Sequence, residues 1–90
     1  MKLNENFLIH DTGNGEILIA VGEETKKFHG IVKLNSTGAE IVHLIEQNDL
    51  SVEEICEHFY EKCPNDDKET IKKGVSDFIN QLEKINAIKL

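Results

Sequence analysis

At Asn35 the hydrophobic period of this chain changes, and that change constrains the fold more than any other feature. Before it, apolar residues come in short runs broken by turn residues. After it, they recur every three to four positions. Upstream, Phe7 to Asp11 (FLIHD) is a short apolar stretch, Thr12-Gly13-Asn14-Gly15 supplies turn residues, and Glu16 to Val21 (EILIAV) follows. Two apolar runs around an asparagine–glycine turn signal a β-hairpin. Gly22 closes the second strand, the polar stretch Glu23 to Lys27 reads as a connection, and Phe28 to Leu34 (FHGIVKL) reads as a third strand. Its pleat sets Ile31 and Lys33 on one face and Val32 and Leu34 on the other.

Downstream, Thr37 and Glu40 have the T-x-x-E spacing of a capping box, which predicts a helix start there, with Ile41, Val42, Leu44 and Ile45 as its apolar set. Gln47-Asn48-Asp49 turns the chain. Ser51 and Glu54 repeat the spacing and open a second helix with Val52, Ile55, Cys56 and Phe59 on one stripe. Pro64 biases its predecessor away from helical angles, so this helix should end near Lys62. Asp66 and Glu69 give a third start, and Ile71, Val75, Phe78, Ile79, Leu82 and Ile85 then run as the stripe of a helix of about 20 residues, ~30 Å long. Ala87 to Leu90 reads as a fraying end or a short extra strand. Three strands followed by three helices is an α+β layout. Ninety residues make one domain, 1–90, with no linker or repeat inside it.

Charge narrows the function. Seventeen acidic residues face ten basic ones, all lysine, for a net charge of −7. Nucleic acid needs a basic face, and guanine is most often read by arginine, so a nucleic-acid partner is not expected. No apolar run approaches a bilayer-spanning length and no signal peptide opens the chain, so no membrane partner is expected either and the reading is cytoplasmic. Aromatic residues make up 6% with no tryptophan, too few for an aromatic-lined cofactor pocket, and no cofactor is expected.

No catalytic or metal site emerges. His43, Cys56, His58 and Cys63 match no short zinc spacing, and Cys56 belongs to an apolar stripe. Two helical turns hold Cys56 and Cys63 about 10 Å apart, too far for a disulfide, which needs less than ~7 Å. His10 and His29 read as surface or packing residues. Glu53, Glu54, Glu57 and Glu61 read as a solvated helix face. No nucleophile elbow, P-loop or dinucleotide motif is present.

Two places suit an interaction. The third strand either pairs on both sides or leaves an edge, and an open edge is a template for another chain, whether a peptide or a second copy in a homodimer. In the last helix, Gly74 on or beside the apolar stripe suggests either a close backbone approach or tolerance near solvent.

The string GIVKLNSTGAEIVHLI, Gly30 to Ile45, with SVEEI at Ser51 to Ile55, resembles the PqqD family and related peptide-recognition elements of ribosomal peptide modification systems. The matching positions are Lys33, Leu34, Asn35, Thr37, Gly38, Ala39, Ile41, Val52, Glu54 and Ile55. The resemblance implies a winged helix-turn-helix-like domain, without catalysis of its own, that binds the leader part of a precursor peptide. It also implies that the leader adds to the third strand against the third helix, for delivery to a modifying enzyme such as a radical SAM maturase, a cyclase or a leader peptidase. By position, the site would draw on Phe28, Gly30, Ile31, Val32 and Lys33 of the strand and on Ile71, Lys72, Val75, Ser76 and Ile79 of the helix. A groove of Ile31, Val75 and Ile79 would take an apolar anchor worth roughly 1.5–3 kcal/mol, and Val75→Asp should weaken binding with little loss of fold.

Two other readings compete. A winged-helix DNA-binding regulator would place Asp66, Asp67 and Glu69 against phosphates, the wrong electrostatic sign. An adaptor that docks enzyme subunits without touching a peptide would be separated by a pull-down with enzyme alone.

Overall fold

Thr12 and Gly15 close the hairpin. In the computed structural model of the chain, which describes residues 1–22 and 31–89, the Thr12 N–H donates to the Gly15 carbonyl at 2.9 Å. Gly13 takes a φ of 88°, open to glycine because it lacks a Cβ. The elements are β1 (Lys2–Leu3), β2 (Phe7–Asp11), β3 (Glu16–Ala20), β4 (Ile31–Leu34), α1 (Ser36–Gln47), α2 (Val52–Lys62), α3 (Lys68–Lys84) and β5 (Ile88–Lys89). β2, β3 and β4 form an antiparallel sheet in that order, and the three helices follow it: an α+β fold. The expected third strand is β4; Phe28, His29 and Gly30 lie outside the described residues.

A second, two-stranded sheet pairs β1 with β5, Lys2 opposite Lys89 and Leu3 opposite Ile88. The C-terminal tail is therefore strand rather than frayed end. Asn4, buried beside β1, makes the junction. Its amide nitrogen donates to the Asn86 carbonyl at 2.8 Å, its side-chain oxygen accepts from the Asn6 N–H at 3.0 Å, and its backbone N–H donates to the Ala87 carbonyl at 2.7 Å. A polar side chain can occupy so buried a place because its partners replace the water it loses.

The helix starts differ from expectation in two of three cases. Asn35, not Thr37, caps α1: its side-chain oxygen accepts the Gly38 N–H at 2.7 Å, and Glu40 turns instead to α2. The box at Ser51 and Glu54 forms in both directions, at 3.1 Å each. Asp67, not Asp66, caps α3, with its carboxylate accepting from the Glu69 N–H at 3.3 Å and the Thr70 hydroxyl at 3.1 Å. α3 is 17 residues long rather than 20. Asn, Asp, Ser and Thr cap almost equally well, so where several stand in a row the local backbone path chooses among them.

The core lies between the inner sheet face and the helices. Phe7, Leu18 and Leu34 meet Ile41, Val42 and Ile45 of α1, Ile55 and Phe59 of α2, and Val75, Ile79 and Leu82 of α3. Two polar ties frame it. His43 Nε2 on α1 stands 2.6 Å from the Glu16 carboxylate on β3. Glu40 on α1 receives the Lys62 ammonium and has His58 Nε2 at 2.6 Å, both from α2. The Lys62 hydrogen bond, then that of His58, holds the Glu40 carboxyl below the usual carboxylate range.

Candidate functional site

The hydrogen-bond phase of the sheet decides what β4 offers to solvent. The Thr12–Gly15 bond at one end of the hairpin and the Val21 N–H donating to the Asn6 carbonyl at 2.7 Å at the other mark bonded pairs. Alternation between them makes His10–Ile17 and Leu8–Ile19 bonded pairs as well. The backbones of Ile17 and Ile19 therefore point to β2, and those of Glu16 and Leu18 point to β4. Because Leu18 faces Val32 and Glu16 faces Leu34, Val32 and Leu34 spend their N–H and C=O groups inside the sheet. Ile31 and Lys33 turn theirs outward. Among the described residues no strand takes them up, so β4 is an open edge with donors and acceptors at two-residue spacing.

Below that edge runs an open groove of about 440 Å³ between β4 and α3, lined by Val32, Lys33, Leu34, Asn35, Phe78 and Gln81. Val32 and Phe78 are half-buried, leaving part of each apolar surface open. Gly38 governs how close Phe78 comes to α1. A Cβ at Gly38 would stand 3.2 Å from Cε1 and Cζ of the Phe78 ring and 3.1 Å from the capping oxygen of Asn35. Glycine there lets the first turn of α1 keep its cap and pack under the ring. Gly74, by contrast, has open space where its Cβ would be, so the close-approach reading of that glycine is overturned.

The structure divides the helix-side residues of the expected site. Ile71, Gly74 and Val75 of α3 line another groove of about 220 Å³, shared with Thr37, Phe59 and Cys63 on the α1–α2 side. Lys72 borders a cleft with Val52, Cys56 and Tyr60 of α2. Ser76 is half-buried, and Ile79 lies in the core. Ile31, 61% exposed, points away from the core, whereas Val75 and Ile79 are 3% and 2% exposed inside it. These three side chains do not share a groove, because the pleat sends Ile31 to the opposite face. The expectation that Val75→Asp spares the fold fails with them, since that position has no water to receive a charge. Phe78 and Gln81 are the helix residues that face β4. Phe78 stands seven residues after Ile71 on the same stripe, so its membership of an apolar face was visible; which neighbour that face meets was not.

Among the described residues no three His, Cys, Asp or Glu side chains cluster to hold a metal ion. Both cysteines are free thiols, and burial pushes the Cys56 thiol up, away from the reactive thiolate. Among the described residues no helix is long and apolar enough to cross a membrane. Among the described residues the geometry provides an open backbone edge along β4 and an apolar wall beneath it.

The fold is α+β, a three-stranded antiparallel sheet followed by three helices. The chain matches the family model described as coenzyme PQQ synthesis protein D (PqqD) over residues 17–88, from β3 through β5, and it belongs to the PqqD family. Membership carries an accessory, partner-binding role. No curated protein and no solved structure matches the chain.

Proposed function

We propose that this chain is a non-catalytic peptide chaperone. It binds the leader segment of a ribosomally made precursor peptide as a strand added to β4, and presents that peptide to a modifying enzyme such as a radical SAM maturase, a cyclase or a leader peptidase. The observation that carries the reading is the open edge of β4, with the Ile31 and Lys33 backbones turned outward above the Val32–Phe78–Gln81 groove. An extended peptide would satisfy those groups, and every second side chain would drop towards Phe78. Each apolar anchor buried there would contribute roughly 1.5–3 kcal/mol, and two or three such anchors with pairing would reach micromolar affinity after ordering costs. Of the other expected positions, Ile71, Val75, Ser76 and Ile79 support α3, and Lys72 would meet a more distant part of the peptide.

The test is a proton–nitrogen NMR titration of the labelled chain with leader peptides encoded near it. Shifts centred on Ile31–Leu34, Phe78 and Gln81 are expected. Shifts confined to the Ile71–Val75 groove would relocate the site, and no shifts with any leader would reject the peptide reading in favour of a plain enzyme adaptor.

A further inference from the structure

Asn14-Gly15 is the one place in the chain where glycine follows asparagine. An asparagine carboxamide is open to attack by the backbone nitrogen of the next residue, and a glycine there has no Cβ to obstruct the approach. Whether a fold permits that reaction depends on how it holds the two groups.

The turn between β2 and β3 ties its neighbouring groups and leaves these two untied. The Thr12 N–H donates to the Gly15 carbonyl at 2.9 Å, the Gly13 N–H to the Asp11 carboxylate at 2.8 Å, and the Asn14 N–H to the Thr12 hydroxyl oxygen at 3.3 Å. The Thr12 hydroxyl donates in turn to the Gly15 carbonyl at 3.0 Å. Among the described residues, neither the Gly15 N–H nor the Asn14 carboxamide has a hydrogen-bond partner. Both residues are exposed, and a Cβ at Gly15 would meet no atom within 4 Å, so the carboxamide has room to swing over the glycine nitrogen. Both also line an open groove of about 440 Å³, shared with Ile31 and Lys33, that admits water. Asparagines elsewhere are held differently. The Asn35 oxygen accepts the Gly38 N–H at 2.7 Å, the Asn4 amide donates to the Asn86 carbonyl at 2.8 Å, and each precedes a residue with a Cβ.

We propose that Asn14 is a site of spontaneous covalent modification: the folded chain deamidates there, mainly to isoaspartate, and the hairpin is the part of the molecule that ages. The Gly15 nitrogen gives its proton to solvent base and bonds to Asn14 Cγ. The Cγ–Nδ2 bond breaks, and Nδ2 takes a proton from water and leaves as ammonia. Water then opens the resulting five-membered imide at one of its two carbonyls, breaking that carbon's bond to the Gly15 nitrogen. Opening at Cγ gives aspartate on an unaltered main chain. Opening at the backbone carbonyl gives isoaspartate, with Cβ and Cγ carrying the chain onward. In sum one water enters, one ammonia departs, and either product adds one negative charge. Isoaspartate also inserts a carbon into the turn from which the Asp11–Glu16 pair starts, and so works against the register of β2 on β3.

The experiment incubates the purified full-length chain at neutral pH beside a synthetic peptide of residues 11–17, and follows both by peptide mapping with mass spectrometry and by ion exchange. Asn14→Gln, whose longer side chain cannot close the five-membered ring, is the control. The expected result is an acidic form that accumulates in the folded chain at a rate within about fivefold of the peptide, maps to residue 14 with isoaspartate in excess, and is absent from Asn14→Gln. The isoaspartate form, isolated by ion exchange, should unfold at a lower temperature than Asn14→Asp, which has the same charge on a normal main chain. A folded chain that keeps Asn14 while the peptide converts overturns the proposal, because the turn would then lock the two groups apart. An acidic form that persists in Asn14→Gln also overturns it, by moving the reaction to another residue. Equal unfolding temperatures of the isoaspartate form and Asn14→Asp overturn the claim that the hairpin ages.

Discussion

Lys33→Pro and Val32→Pro place the same ring one residue apart on β4, and the hydrogen-bond phase of the sheet gives them opposite consequences. Val32 donates its N–H inward, towards Leu18, whose side chain is fully buried. Val32→Pro deletes that bond, worth about 0.5–1.5 kcal/mol, and strands a buried carbonyl at about 1–3 kcal/mol. The combined loss of about 1.5–4.5 kcal/mol lowers Tm by roughly 6 °C or more for a chain this size. Lys33 turns its N–H to solvent, so Lys33→Pro removes nothing from the ladder and shifts stability by less than about 1 kcal/mol. It does remove a donor that an added strand needs, and the ring stands in the path of that strand. Leader affinity should fall at least tenfold, about 1.4 kcal/mol. Lys33→Ala, which keeps the N–H and deletes the charge, should cost much less. Thermal unfolding followed by circular dichroism and calorimetric titration with leader peptide give both quantities. If Lys33→Pro unfolds as readily as Val32→Pro, the derived phase is wrong. If it folds and binds leader like wild type, β4 is not the binding edge.

Three further outcomes follow from the packing. Val75→Asp puts a carboxylate into a 3% exposed core position and should cost about 3 kcal/mol or more, seen as a Tm fall of over ~12 °C; a folded variant of near-native Tm would contradict the burial. Asn35→Ala removes the α1 cap and should destabilise by about 0.5–2 kcal/mol in urea unfolding, whereas Thr37→Ala should cost far less, because Thr37 does not cap. Glu40 has its folded-state pKa lowered by Lys62 and His58, so its stabilising contribution is present at neutral pH and disappears as pH falls through that lowered value. Wild type should therefore exceed Glu40→Gln in stability at pH 7, and the gap should narrow below the usual carboxylate range; a gap independent of pH would assign the effect to packing.

Local patterns read well where each residue's role depends on near neighbours. The Thr12–Gly15 turn, the inward and outward alternation of Ile31 to Leu34, the Ser51–Glu54 box and the end of α2 before Pro64 all follow from spacing alone, and the structure has them. β1 and β5 were illegible as a pair: two residues each carry no period, and their partner is at the far end of the chain. The roles of the two helix glycines were also hidden, since Gly38 meets Phe78 forty residues on, whereas a Cβ at Gly74 would meet no atom within 4 Å among the described residues.

The candidate site shows the same division. Sequence by itself determined that a short strand leads into a helix just after Asn35, that an apolar stripe runs along the last helix, and that the family motif spans the junction of strand and first helix. Those are properties of local geometry and of side-chain period. Tertiary structure alone decided that β4 lies at the sheet edge among the described residues, which of its backbone groups turn outward, and that Phe78 and Gln81, rather than Ile71 and Val75, face it. A helix shows its apolar stripe to whatever packs nearest, and the crossing of α3 over the sheet is set by the whole core at once, with Gly38 fixing how closely Phe78 approaches α1.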